Sequence, residues 1–352
     1  MNRSTQPTAP PPRGVSMAEV AMRAGVSVTT VSHVLNDVPG KRIRPATRAR
    51  VRKAAAELGY VINGVARSLR TRRSHTLALV GDAVALTPHA VKIVLGAHEA
   101  AAALGWLLLH TDTGDDPNVE LAQIQALQQR QVDGFLYTRL WAHQVTIPAA
   151  LDGLPTVLVD ATSTDPTISS VVPDDFGGGQ TATRELVSHG HRRIAFINNA
   201  EDIPASHLRL AGYRSVLEEA GIIYRNDHVI AAFPDAKGGR EAARTLLDLA
   251  DPPTAIFCFS DRMTMGVYQA AHEFGLRIPD DLSIIGYDDQ DPIPEGLFPG
   301  LTTVALPHYE MGAWGVHTLI RQIENPHEVT PTQVSIPCPI VRRGSIAAPP
   351  TK

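Results

Sequence analysis

Cysteine is almost missing from this chain: Cys258 and Cys338 are the only two in 352 residues, in no metal-ligand spacing. That argues against a disulfide framework and fits a reducing compartment. Long apolar runs are missing as well. The most apolar stretches are broken by His98, Glu99 or prolines long before the roughly 20 residues a membrane helix needs. The opening segment MNRSTQPTAPPPRG is polar and proline-rich and has no apolar core of a signal peptide. A cytoplasmic protein is expected. Acids are scarce in one place only. Residues 1–73 hold fourteen lysines and arginines against Glu19, Asp37 and Glu57, a net charge of +11, and the remainder carries 18 bases and 33 acids, a net of −15. A small basic head on a large acidic body points the head toward a polyanion.

What is present is ample apolar content, 43% hydrophobic residues, enough for a packed core in two or three domains. In the head, Ser16-Met17-Ala18-Glu19 reads as a capping box. It opens a helix with Val20 and Ala21 inward and Arg23 outward, closed by a left-handed Gly25. Ser27 then caps a second helix, Val28–Leu35, with Val31 and Leu35 toward the core and Val28, Thr29 and His33 outward. Two short helices joined by a glycine turn form a helix-turn-helix outline. Small and hydroxyl side chains at the start of the second helix suit entry into a major groove about 12 Å wide, where they can meet phosphates, base edges and thymine methyls. Pro45 starts a third helix, with Arg48, Arg50, Arg52 and Lys53 on or near its exposed side and Gly59 at its end. The basic stretch Asn63–Arg73 is too short to hold a helix alone and reads as a linker that folds on binding.

MAEVAMRAGVSVTTVSHVLN, TRARVRKAAAELGY and NGVARSL resemble the DNA-binding head and hinge of the lactose-repressor (LacI) family of bacterial transcription regulators, and TTVSHV is similar to its purine-repressor branch. The resemblance implies base reading by Val28, Thr29 and His33, and minor-groove insertion by Leu69. It places Ser16, Ser27, Thr30, Ser32, Asn36, Asn63 and Arg67 in the same DNA-contacting set. Departures are visible. His33 stands where many members carry arginine, Arg44 replaces the usual cap of helix three, the PGKRIRP loop is long, and Ile62 replaces a proline before the hinge asparagine.

Beyond Thr76, the runs TLALVG, WLLLH, GFLYT, TVLVD, RIAFIN, AIFCFS and LSIIGYD alternate with polar or helical segments. Continuous apolar strands in such alternation imply parallel sheets in a doubly wound α/β body, with ligands beyond the strands' carboxyl ends. The motifs VVPDDFGGG, SHGHRRIAFI, RLAGY, FSDRMTMGV and PGLTTVALPHYEMG extend the family resemblance over residues 16–343. The expected fold is therefore an N-terminal all-α helix-turn-helix head plus a periplasmic-binding-protein-like α/β body of two doubly wound subdomains. Its expected boundaries are a tail at 1–14, the head at 15–61, a hinge at 62–74, an effector-binding and dimerisation body at 75–345 and a tail at 346–352.

Three features imitate other chemistry. Gly177–Gly179 could cradle a phosphate but lacks the lysine and threonine of a P-loop, and is read as a tight turn with close packing. His189 and His191 have no third ligand in suitable spacing, so no metal is expected. Asp288 and Asp289 lack a nucleophile partner, so ligand binding is favoured over acid–base work, and neither an enzyme nor a cofactor is expected. The family's effector pair falls on Arg209 and Asp288, with a structural ion pair as the alternative reading. The resemblance adds His89, Phe233 and Asp261 to the effector contacts. Ala161, Ile203 and Ala205 replace groups with which the purine repressor holds its flat base. The expectation is a homodimeric regulator, a repressor of a palindromic operator, answering to a sugar or sugar-like metabolite. A purine- or nucleoside-responsive regulator of the same family is the alternative.

Overall fold

A computed structural model describes residues 15–36, 38, 40–60, 73–82, 87–88, 90–114, 116–328 and 330–351. The chain forms two compact units, residues 1–74 and 75–352.

The first unit is helical. α1 (Met17–Ala24) begins with the capping box: the Ser16 hydroxyl accepts from the Glu19 amide, and the Ser16 amide donates to the Glu19 carboxylate at 2.6 Å. It ends at Gly25 in the left-handed conformation, φ 64°. α2 (Val28–Leu35) is capped by Ser27, and α3 (Pro45–Leu58) starts at Pro45 with no side-chain cap from Arg44. Val20, Val31, Val34 and Val51 are fully buried in one cluster with alanines of α1 and α3. Val34, not Leu35, is the inward partner of Val31; a three-residue step keeps it on the α1–α3 face, and Leu35 is half-buried beside it. Arg50 of α3 is not a free surface cation, because its Nε donates to the Ala24 carbonyl at 2.7 Å and satisfies an orphan of the α1 C-terminus.

The second unit contains two six-stranded sheets. The first runs β11-β5-β4-β3-β1-β2, from β1 (Thr76–Gly81), β2 (Leu107–Asp112), β3 (Gly134–Gln144), β4 (Thr156–Thr162), β5 (Ser169–Pro173) and β11 (Gln333–Ile336). The second runs β12-β10-β9-β8-β6-β7, from β6 (Ile194–Asn199), β7 (Val229–Ala232), β8 (Ala255–Cys258), β9 (Ser283–Asp288), β10 (Thr302–Ala305) and β12 (Ile340–Val341). All pairings are parallel except β10 with β12. In the first sheet Leu77, Leu79, Leu136, Val157 and Val159 join one core, and Ala78, Val80, Phe135, Tyr137 and Leu158 join another. This alternation is why the strands read as unbroken apolar runs: both faces are covered.

The helices are α4 (Val91–Ala103), α5 (Pro117–Gln129), α6 (Asp175–Ser188), α7 (Pro204–Glu219), α8 (Ala236–Leu247), α9 (Asp261–Glu273), the short α10 (Ile293–Gly296) and α11 (His308–Glu324). Where α6 crosses α7, a Cβ on Gly179 would meet the Arg209 carbonyl oxygen at 2.5 Å, and one on Gly212 would meet that of Phe176 at 2.3 Å. The expected tight turn at Gly177–Gly179 is thus the first turn of α6, made of glycine so that backbones can touch. The chain passes between the halves after β5, after β10 and after β11. The segment expected as a tail from residue 346 is packed: Ile346 lies on the core around the second sheet, and the Ala347 carbonyl sits 2.9 Å from His191 Nε2. No helix among the described residues is long and apolar enough to cross a membrane.

Candidate functional site

In the head, Ser27, Val28 and Thr29 are exposed on the first turn of α2, and His33 lies half-exposed one turn on. Val28 keeps 46% exposure although it is apolar and sits beside a well-packed core. The other hydroxyls are partly occupied. Ser27 Oγ accepts from the Thr30 amide at 3.2 Å and pairs with Thr30 Oγ1 at 2.9 Å, Asn36 donates to the Ser32 carbonyl at 2.8 Å, and Ser16 is held in its capping box. These five hold the helix ends, and Val28, Thr29 and His33 are left to face outward. The expected hinge contacts Asn63, Arg67 and Leu69 lie outside the described residues, as do the tail at 1–14 and most of the hinge.

In the body, a cavity of about 320 Å³ opens between the two halves. Its walls are the carboxyl ends of strands, where a doubly wound sheet leaves its crevice. The first half contributes Thr87 and Pro88 after β1, Trp141 of β3, Asp160 of β4 and Pro173 of β5. The second contributes Asn199 of β6, Phe233 after β7, Phe259 and Ser260 after β8, Asp288 of β9, and Arg209 of α7. Asp175 and His308 enter from the crossovers.

Arg209 is the electrostatic centre, 2% exposed. Its Nε donates to Asp175 Oδ1 at 2.8 Å and its Nη1 to the Phe259 carbonyl at 2.6 Å, while Asp288 Oδ1 lies 3.6 Å from Nη1. The guanidinium carbon sits 3.5 Å from the Tyr287 ring centroid and 4.3 Å from that of Phe259. Burial works against its charge, but Asp175 and then Asp288 outweigh that, so the group is held protonated more firmly than a free arginine. Burial pushes the Asp288 carboxyl up, against the pull of Arg209. Burial, reinforced by the Asp175 charge, pushes Asp160 well up too. Two buried polar atoms of the cavity's lining residues, Ser260 Oγ and Asp175 Oδ2, have no hydrogen-bond partner among the described residues. Orphans of this kind are costly unless a bound group completes them.

The structure brings Arg209, Asp288 and Phe233 of the expected set to the cavity. Asp261 is a correction: it is fully buried and does not line the cavity. Its carboxylate is consumed internally, accepting from the Gln290 amide at 2.8 Å and from Thr303 Oγ1 at 2.6 Å. Its work is to hold the ends of β9 and β10. His89 lies outside the described residues. Sequence reasoning missed Trp141, Asp160, Asp175, Asn199, Arg262 and His308. A signal existed for two of them: Asp160 and Asn199 are polar residues at the carboxyl ends of apolar runs, where the crevice forms. Of the imitating features, His191 spends both ring nitrogens on Thr254 Oγ1 and the Ala347 carbonyl, each at 2.9 Å.

The family described as bacterial regulatory proteins, lacI family, matches residues 16–63, and a periplasmic binding protein-like domain matches residues 183–346. The ribose operon repressor of Haemophilus influenzae is 35% identical over 332 residues, covering 93% of this chain and 97% of that protein. A complex of the transcriptional regulator CelR with cellobiose is similar with TM-score 0.66 and 32% identity, covering 94% of this chain and 99% of that one. The lac repressor dimer bound to operator and the anti-inducer ONPF is similar with TM-score 0.75 and 26% identity, covering 96% and 100%.

Proposed function

This chain belongs to the lacI family of bacterial regulatory proteins and is a DNA-binding transcription regulator, not an enzyme; we propose that it is a cytoplasmic repressor that binds a palindromic operator as a homodimer and answers to a sugar or sugar-like metabolite in the body's cleft. The observation that carries the effector reading is the Arg209 centre. A buried guanidinium flanked by two carboxylates, with an orphan hydroxyl at Ser260, offers donors and acceptors in the alternation that vicinal hydroxyls require. The cavity volume lies at the small end of the roughly 300–1,000 Å³ typical of ligand pockets. The solved relative bound to cellobiose and the ribose operon repressor support the same class. A flat purine would need polar partners along its edge, and the positions Ala161, Ile203 and Ala205 offer none.

In the head, Val28, Thr29 and His33 read base edges. Imidazole offers one donor and one acceptor toward guanine N7 and O6, or two donors when protonated, and cannot reproduce an arginine fork. The test has two stages. Operator selection from random duplexes should yield a palindrome, and His33→Arg should change the preferred base at one symmetric pair of positions. Calorimetry with D-ribose, cellobiose, hypoxanthine and guanine, followed by operator binding with each ligand, then identifies the effector class. Tight binding of a purine base with no response to either sugar overturns the effector reading. A selection without symmetry overturns the operator reading.

A further inference from the structure

We propose that Trp141 is the residue that selects ligands in the cleft, by covering the apolar face of a sugar ring, and that the Asp160 carboxylate positions it. The proposal rests on the carbohydrate reading of the cleft. β3 runs to Gln144, and its register with β4 slips between Thr138 and His143. At the slip Trp141 and Ala142 are both left-handed, with φ of 63° and 54°. One bulky residue in that region is a genuine outlier, and two in succession persist only where the surroundings over-determine them. Asp160 supplies the determination. Its Oδ2 accepts from the Trp141 amide at 3.0 Å and its Oδ1 from the Ala142 amide at 3.2 Å, and Asp160 is itself left-handed and 2% exposed. A carboxylate consumed in this way turns the strand and delivers an indole to the cavity wall.

The indole is half-buried, packs against the cores of both halves, and lines the cavity. The polar groups of Arg209, Asp288 and Ser260 belong to the other half. Pyranose and furanose rings are amphipathic: their hydroxyls radiate at the edge and their C–H groups form an apolar face. A site with hydrogen-bonding groups from the second half, which also holds Phe233 and Phe259, and an indole from the first half fits that shape. The other two tryptophans lie elsewhere. Trp106 and Trp314 belong to the core of the first half and do not line the cavity.

The experiment uses the full-length protein with D-ribose and cellobiose as probes, read by calorimetry and by tryptophan fluorescence. Binding of a sugar should shift the emission of the wild-type protein, and Trp141→Phe should abolish that shift while Trp106 and Trp314 still emit. Trp141→Phe keeps a ring face, so its Kd for the sugar should rise less than threefold. Trp141→Leu keeps apolar bulk against both cores but offers no ring, and its Kd should rise about tenfold or more. Asp160→Asn retains only one acceptor oxygen, and should change the emission of the sugar-free protein and weaken binding to an intermediate degree. A residue that merely packs would tolerate Leu and Phe alike. Wild-type affinity in Trp141→Leu therefore overturns the proposal while the carbohydrate reading stands. Absence of heat from both sugars with the wild-type protein overturns the carbohydrate reading and this proposal with it.

Discussion

At the scale of single residues, Arg209 and Asp288 look like one constellation but answer differently to substitution. Arg209→Ala leaves Asp175, 1% exposed, as an uncompensated charge. Breaking a buried pair in this way costs about 3–5 kcal/mol, so urea denaturation should show a body destabilised on that scale, and a lost effector response in that variant will report folding as much as recognition. Asp288→Asn is the cleaner probe, because its carboxylate stands 3.6 Å from the guanidinium. Its pH dependence has a definite sign. Burial raises the folded carboxyl above its unfolded value, so the folded chain holds a proton that the unfolded chain has released. That contribution to stability is complete below the ordinary carboxyl range and disappears as pH rises through the raised value. The melting temperature of Asp288→Asn, measured against wild type, should therefore improve from about pH 4 to about pH 7 and level off above that; a flat difference would show that Asp288 titrates normally. Arg209 and Asp288 were legible because they sit in recognisable motifs. Trp141 was not, since nothing in TRLWAHQ announces that a carboxylate sixteen or more residues later will bend the backbone under it.

At the scale of elements, the helix crossings are the sensitive points. Gly179→Ala would place a methyl 2.5 Å from the Arg209 carbonyl oxygen, a contact with backbone that cannot rotate away. α6 and α7 must then separate, at a cost of about 1–3 kcal/mol, and chemical denaturation of Gly179→Ala should show a loss of that size; a neutral result would mean the crossing is looser than its geometry. Element identity was legible where burial is two-sided. β1, β3, β4, β6, β8 and β9 announce themselves as apolar runs, as does the less buried β2 through WLLLH. β5, β7, β10, β11 and β12 do not, being short, serine- or threonine-bearing or half-exposed. Their strand state comes from the neighbours they pair with. β11 shows this plainly: QVSI carries no core signal, yet it pairs with β5 across a separation of more than 160 residues.

At the scale of the whole molecule, the operator reading needs two heads, since one helix-turn-helix unit reads half of a palindrome. The solved lac repressor dimer on its operator supports the same assembly. Light scattering of the full chain should therefore give a dimer mass at low micromolar concentration. A stable tetramer would demand an interface elsewhere, and a monomer would remove the basis for a symmetric operator.

The sequence by itself determined the division into a basic head and an acidic α/β body, the caps of the head helices and the buried strands. These follow from local rules: periodicity, capping chemistry and charge distribution act over a few residues or add up along the chain. Only the tertiary structure decided that Asp261 is a brace and not a cavity-lining residue, that Ile346 packs against the body's core, and that Asp160, Asp175 and Trp141 meet Arg209 around one cavity. A carboxylate is committed to whatever donor the fold places within about 3 Å of it. Those donors arrive from β3, α7, β10 and the turn after β9, by contacts whose partners lie too far along the chain for any local pattern to record.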